Sequence, residues 1–112
     1  MKHDPHFRHQ QDLSLEYQVL NISVNLARIS QWLIDGYVQK KVLIDKFIEQ
    51  TDLYLNDLLN QNISKQFQPT LDRFYQEFND FKKQIINEKV KMFWAERALT
   101  WANILQHRAR LA

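Results

Sequence analysis

The chain has 112 residues with one Gly, two Pro and no Cys, and its 15 Lys and Arg residues nearly balance its 13 Asp and Glu residues. The lack of Cys excludes disulfides and thiolate metal sites, and a hydrophobic content of 45% excludes a disordered chain. Because turns between strands depend on Gly and Pro, which are scarce here, the composition predicts an all-α fold.

The first eleven residues show little apolar periodicity and are predicted to form a flexible tail ahead of a single helical domain at residues 12–112. They include His3, His6 and His9, and imidazoles at such short spacing are potential metal ligands. Pro5 prevents a regular helix from placing all three on one face, so we interpret them as a solvated tail and predict no metal site. The segment also lacks the apolar stretch of a secretory signal.

The first predicted helix spans residues 12–35, and Gly36 is its C′ residue. It carries two apolar stripes with spacings of three and four residues, separated by about 150° around the helix axis. The first stripe consists of Leu15, Val19, Ile22, Leu26, Ile29 and Leu33. The second stripe consists of Leu13, Tyr17, Leu20, Val24, Ala27 and Ile34.

One of these stripes can pack on the chain's own helices, but the other then needs a separate cover, because a long exposed apolar seam is unusual in a monomer. Two arrangements provide that cover: a homodimer, or a central helix that its own chain wraps on both sides. We favour the homodimer, because a chain of three or four helices has little left to wrap the second stripe.

A second, amphipathic helix is predicted at residues 38–60, and the stretch NQNISKQFQ after it has the composition of a linker. A third helix is predicted at residues 69–111, since Pro69 suits a first turn and no Gly or Pro follows it. The apolar side of this helix changes face near Asn87, so it is either broken there or buried against two different partners. The predicted core includes Leu20, Ile22, Leu26, Ile29, Phe47, Leu55, Leu58, Phe74, Phe78 and Ile85.

The C-terminal segment combines aromatic and basic residues, with five Lys and Arg against one Glu in residues 89–112. Trp and Arg are typical of binding surfaces, so we predict that Trp94, Arg97, Trp101, Arg108 and Arg110 bind a partner. The alternative is that both Trp are core residues of one subunit. The same residues could also hold phosphates and stack on bases, which makes a small nucleic-acid-binding protein the alternative function.

Trp32 lies off both stripes of the first helix and is a further candidate contact with a partner, although it could equally pack over the turn at Gly36. The sequence has no Gly-rich phosphate loop, no Glu-x-x-His pair and no convincing nucleophile beside a His outside the tail. We therefore predict that the protein is not an enzyme and carries no cofactor.

Together these features predict a bundle of three long helices that forms a homodimer and binds another protein, as an adaptor, regulator or assembly factor. No apolar run approaches the length of about 20 residues that spans a bilayer, so we predict no membrane span. With no Cys and no visible signal, we expect a soluble, cytoplasmic protein.

Overall fold

The computed structural model describes residues 13–85 and 87–112. They form three α-helices, α1 (Leu15–Leu59), α2 (Gln68–Gln84) and α3 (Lys91–Arg108), and two short 3-10 turns, Glu88–Val90 and Ala109–Leu111. These residues contain no β-strand and their helices pack against one another, which confirms the predicted all-α bundle. The predicted tail at residues 1–11, with its three His, lies outside the described residues.

Helix α1 begins at a Ser14 cap, whose Oγ accepts a hydrogen bond from the Tyr17 amide, and it is interrupted at Gly36. A straight helix of its 45 residues would be about 67 Å long, whereas the longest dimension of the fold is 37 Å. The chain therefore folds back at Gly36, and we call residues 15–35 the first arm and residues 37–59 the second arm. The predicted boundary at Gly36 is confirmed, but its φ of 166° is extended rather than left-handed as is usual at C′.

The two arms run antiparallel, and polar side chains buried between them set their register. Gln18 and Gln61 exchange two amide hydrogen bonds, of 3.0 and 2.6 Å. Two helical turns further along the first arm, Asn25 Nδ2 donates to Thr51 Oγ1 at 3.3 Å. Sliding one arm along the other would break both pairs and leave buried polar groups without partners. Such groups are costly in free energy, so the two pairs favour this register.

Helix α3 packs antiparallel to the first arm at close range. Ser23 Oγ donates to the Ala102 carbonyl oxygen at 2.6 Å, and Ser30 Oγ donates to the Ala95 carbonyl oxygen at 2.7 Å. A side-chain hydroxyl reaches the backbone of a neighbouring helix only where both contact surfaces are made of small residues. This contact is the principal one between α1 and the rest of the chain.

Helices α2 and α3 form a second hairpin, so the third predicted helix is broken, between Gln84 and Lys91. Aromatic rings fill the space between them: Phe81 lies 5.5 Å from Trp94 and Phe74 lies 5.3 Å from Trp101, measured between ring centroids. The break explains the change of apolar face in the sequence, because the two halves turn their apolar sides towards each other and towards α1.

The stretch predicted to be a linker does connect α1 to α2, at residues 60–67, and Ser64 holds it in place. The Ser64 hydroxyl accepts from the Phe67 amide at 3.2 Å and donates to the Leu111 carbonyl oxygen, while the Ser64 amide donates to the Ala112 carbonyl oxygen at 3.4 Å. Phe67 itself is fully buried. The 3-10 turn that follows α3 is therefore tied to the connection between the hairpins.

The described residues share one apolar core, built by the first stripe of α1, the aromatic face of α2 and the small and aromatic residues of α3. Eight of the ten predicted core residues are buried: Ile22, Leu26, Ile29, Leu55, Leu58, Phe74, Phe78 and Ile85. The other two, Leu20 and Phe47, are wrongly placed by the prediction, because they pack against the margin of the core and remain partly exposed.

Candidate interaction surfaces

The second stripe of α1 faces away from the core. The first stripe is buried from Val19 to Leu33, whereas Val24 is 48% exposed and Ile34 is 51% exposed. Leu13, Tyr17 and Ala27 are also exposed, and only Leu20 is partly buried. Within the described residues, the chain therefore does not wrap this helix on both sides.

Helix α3 widens this apolar surface. The hydrogen bonds of Ser23 and Ser30 to α3 set an antiparallel register in which Ala27 lies level with Leu99, and Ile34 lies level with Met92. Leu99 is 46% exposed and Met92 is 50% exposed. We call the second stripe together with Leu99 and Met92 the outer face.

The two C-terminal Trp are buried within the chain, which is the core alternative considered for them above. Trp94 is 5% exposed and Trp101 is 7% exposed. Trp94 Nε1 donates to Gln84 Oε1 at 3.2 Å, and Trp101 Nε1 donates to Glu77 Oε2 at 2.7 Å. Their rings pack against Phe81 and Phe74, so little of either ring is accessible to a stacking base.

Arg97 is paired with Glu77 inside the second hairpin. Its Nε and Nη2 atoms donate to the two carboxylate oxygens of Glu77, at 2.8 and 2.9 Å. The hydrogen bonds that Arg97 donates to Glu77 raise the pKa of Arg97, against the opposing effect of burial. This side chain is therefore held in one orientation as a fixed positive charge.

Other basic residues gather beside this pair at an open groove between the beginning of α2 and the end of α3. The groove has a volume of about 720 Å³. Its lining includes Arg73, Arg97, Arg108 and His107, together with Pro69 and Ile104. Of the other predicted site residues, Arg110 is exposed but does not line this groove. The sequence pattern missed Arg73, because only the antiparallel hairpin brings it beside α3.

Trp32 packs on the second arm rather than over the turn at Gly36. Its ring meets the Phe47 ring edge-on, with 4.9 Å between centroids, and the Arg28 guanidinium lies 5.8 Å from the centroid of the same Phe47 ring. Trp32 remains partly exposed. Its contact with a partner stays a prediction.

The part of the chain that the structure describes contains neither a cluster of potential metal ligands nor a membrane-spanning helix. None of the described His, Asp and Glu side chains form a group of three or more that could hold a metal ion. None of the described helices is both long enough and apolar enough to cross a membrane.

No family model, no curated protein and no solved structure matches the chain. The outer face and the basic groove are therefore the features of the molecule on which a function can be argued. The two surfaces are centred on different sides of α3. Leu99 of the outer face and Ile104 of the basic groove are five residues apart, which corresponds to about 140° around the helix.

Proposed function

We propose that the protein is a non-enzymatic helical interaction module of the cytoplasm that works as a homodimer joined through the outer face. The observation that carries this proposal is an apolar stripe on α1 at heptad-like spacing, exposed at every position except Leu20, beside Leu99 and Met92 of α3. Its biological role would be that of an adaptor, regulator or assembly factor.

The chemistry of the outer face suits a second copy of the same chain. All the residues of the second stripe are uncharged, so two copies can meet face to face without repulsion between like charges. A two-fold interface requires such a self-complementary patch. Covering each Leu, Ile or Val side chain that is now exposed stabilises the dimer by up to about 1.5–3 kcal/mol.

The size of the outer face supports the same conclusion. A strip about 30 Å long and about 20 Å wide, across two packed helices, has an area on the order of 600 Å² per subunit. The two subunits would together bury on the order of 1,200 Å², which is the lower end of the range for specific, stable interfaces.

The proposal is tested by sedimentation equilibrium of the wild-type chain and of Val24→Glu. Val24 lies in the middle of the outer face and is half exposed, so a charge there should leave the subunit folded while opposing association. Val42→Glu is the matched control, since Val42 is 82% exposed and lies in the second arm, outside the outer face.

We expect the wild-type chain and Val42→Glu to sediment as dimers at about 10–50 µM, and Val24→Glu to sediment as a folded monomer. These concentrations detect a dimer whose Kd is in the micromolar range, which corresponds to an association free energy of about 8 kcal/mol. A wild-type chain that remains monomeric at these concentrations would rule out the homodimer. A Val24→Glu variant that remains as dimeric as Val42→Glu would rule out the outer face as its interface.

A further inference from the structure

We propose that the basic groove between α2 and α3 binds a short acidic peptide segment of a partner protein. This second site is separate from the dimer interface, because its centre, at Trp101, Ile104 and Arg108, lies on a different side of α3 from Leu99. The proposal therefore stands whether or not the outer face mediates dimerisation.

The shape of the groove fits an extended peptide. One wall is the beginning of α2, from Pro69 to Arg73, and the other is α3 from Arg97 to Arg108. The α3 wall from Arg97 to Arg108 contains eleven helical rises and is about 16 Å long, and an extended chain advances about 3.3 Å per residue. This wall is therefore long enough for about five extended peptide residues, and the volume of the groove, about 720 Å³, is within the usual range of binding sites.

The charge of the groove indicates an anionic occupant. Three Arg and His107 line it, and its lining contains no Asp or Glu. Glu77 neutralises Arg97, but Arg73 makes no hydrogen bond or ion pair within the described part of the chain. Arg108 uses only its Nε, which donates to Thr70 Oγ1 at 3.0 Å. The terminal nitrogens of Arg73 and Arg108 thus remain for the bidentate hydrogen bonds that carboxylates accept.

Two further features favour a peptide over a nucleic acid. Pro69 and Ile104 provide an apolar surface between the charged walls, which an aliphatic side chain of a peptide can cover. Trp101 also lines the groove but is only 7% exposed, which leaves little ring area for base stacking. In addition, the carboxylate of Asp80 borders the adjoining cleft beyond Arg73, where it would repel a phosphate backbone that continued past the groove.

The occupant is not the chain's own N-terminal segment. Residues 1–12 contain Lys2 and Arg8 as well as Asp4 and Asp12, and three His in addition, so this segment has no excess of acidic side chains. Charge complementarity therefore points to a segment of another protein.

The test is a selection from a phage-displayed library of random heptapeptides on the full chain, repeated on Arg73→Gln/Arg108→Gln. Arg110→Gln is the matched control, because it removes one positive charge from an exposed residue that does not line the groove. We expect the wild-type chain and Arg110→Gln to enrich peptides that combine Asp or Glu with aliphatic residues, and the double variant to lose that enrichment. Circular dichroism of each variant checks that it is folded.

A labelled peptide of the most enriched sequence and a labelled single-stranded oligonucleotide are then titrated with each protein. Arg73→Gln and Arg108→Gln should each weaken peptide binding by about tenfold, as expected for loss of a charged hydrogen-bonded pair. Arg110→Gln should change it by less than about twofold. Selected peptides without an excess of acidic residues, or equal weakening by all three substitutions, would overturn the proposal. Oligonucleotide binding that depends on Arg73 and Arg108, without selection of acidic peptides, would also overturn it.

Discussion

Arg97 and Glu77 form a two-point ion pair across the α2–α3 hairpin. The guanidinium Nε and Nη2 atoms lie 2.8 and 2.9 Å from the carboxylate oxygens, and one of those oxygens also accepts from Trp101 Nε1 at 2.7 Å. A single carboxylate therefore holds both an Arg and a core Trp of α3 in position on α2. The Glu77 carboxylate also fixes the position of Arg97, which lines the α3 wall of the basic groove.

Replacing Glu77 with Gln should destabilise the fold by about 1–3 kcal/mol. The Gln amide offers one acceptor oxygen instead of two, and its amino group would face the Arg97 donors. Both side chains are about one-third exposed, so solvent screening keeps the loss within this range. Urea unfolding measures it, with Asp80→Asn as the control because it removes the same charge at an exposed site one turn away. Equal effects of the two substitutions would contradict this account of the ion pair.

Ser30 tests the close approach of α1 and α3. Ser30→Ala removes the hydrogen bond to the Ala95 carbonyl oxygen and should cost about 1 kcal/mol. Ser30→Leu places two more heavy atoms than Ser where the helices touch and should cost about 1–3 kcal/mol more than Ser30→Ala. Thermal melting compares the two variants with Asn56→Leu, an exposed position on the second arm. If Ser30→Leu proved as stable as Ser30→Ala, the two helices could not be in such close contact.

Gln18 and Gln61 should behave as a coupled pair. Gln18 is fully buried, and its Oε1 accepts a hydrogen bond from Gln61 Nε2. Gln61→Ala removes this donor and should therefore destabilise the fold by about 1–3 kcal/mol. Replacing both residues with Leu removes the polar groups together and should cost less than the sum of the two single Leu changes. A double-mutant cycle measured by urea unfolding gives the coupling energy. Additive losses would show that the two amides do not depend on each other.

Tyr54 should make the stability of the fold depend on alkaline pH. Burial of this residue raises its pKa above the ordinary value of 10.0, and the nearby charge of Asp57 adds to the effect. Because the folded state favours the neutral phenol, this contribution is fully present below about pH 10 and is lost as the pH rises through the folded pKa. Tyr54→Phe should therefore lose less stability than wild type between about pH 9 and 11.

Urea unfolding at several pH values measures this difference. Tyr75→Phe, at an exposed position on α2, is the control and should retain the pH dependence of the wild-type chain. Identical pH profiles for Tyr54→Phe and the wild-type chain would show that ionisation of Tyr54 is not linked to folding.

The sequence alone determined the helical class and most helix boundaries, because these depend on local backbone chemistry. Scarce Gly and Pro left Gly36 as the one strong break between residues 12 and 59, and the chain does turn there. Pro69 likewise lies in the first turn of α2. Regular spacing also identified Ile22, Leu26 and Ile29 as core residues, since every third or fourth position of a helix shares one face.

The tertiary structure decided which of the two stripes on α1 is buried, because both have the same spacing and similar hydrophobicity. It also placed α3 against α1 through Ser30 and Ala95, whose small side chains give almost no periodic hydrophobic signal. The same packing buried Trp94 and Trp101 beside α2. Arg73 and Arg108 are 35 residues apart in the chain and meet at one groove only because α2 and α3 run antiparallel. Such long-range proximity depends on how whole helices pack, which the local pattern of residues does not specify.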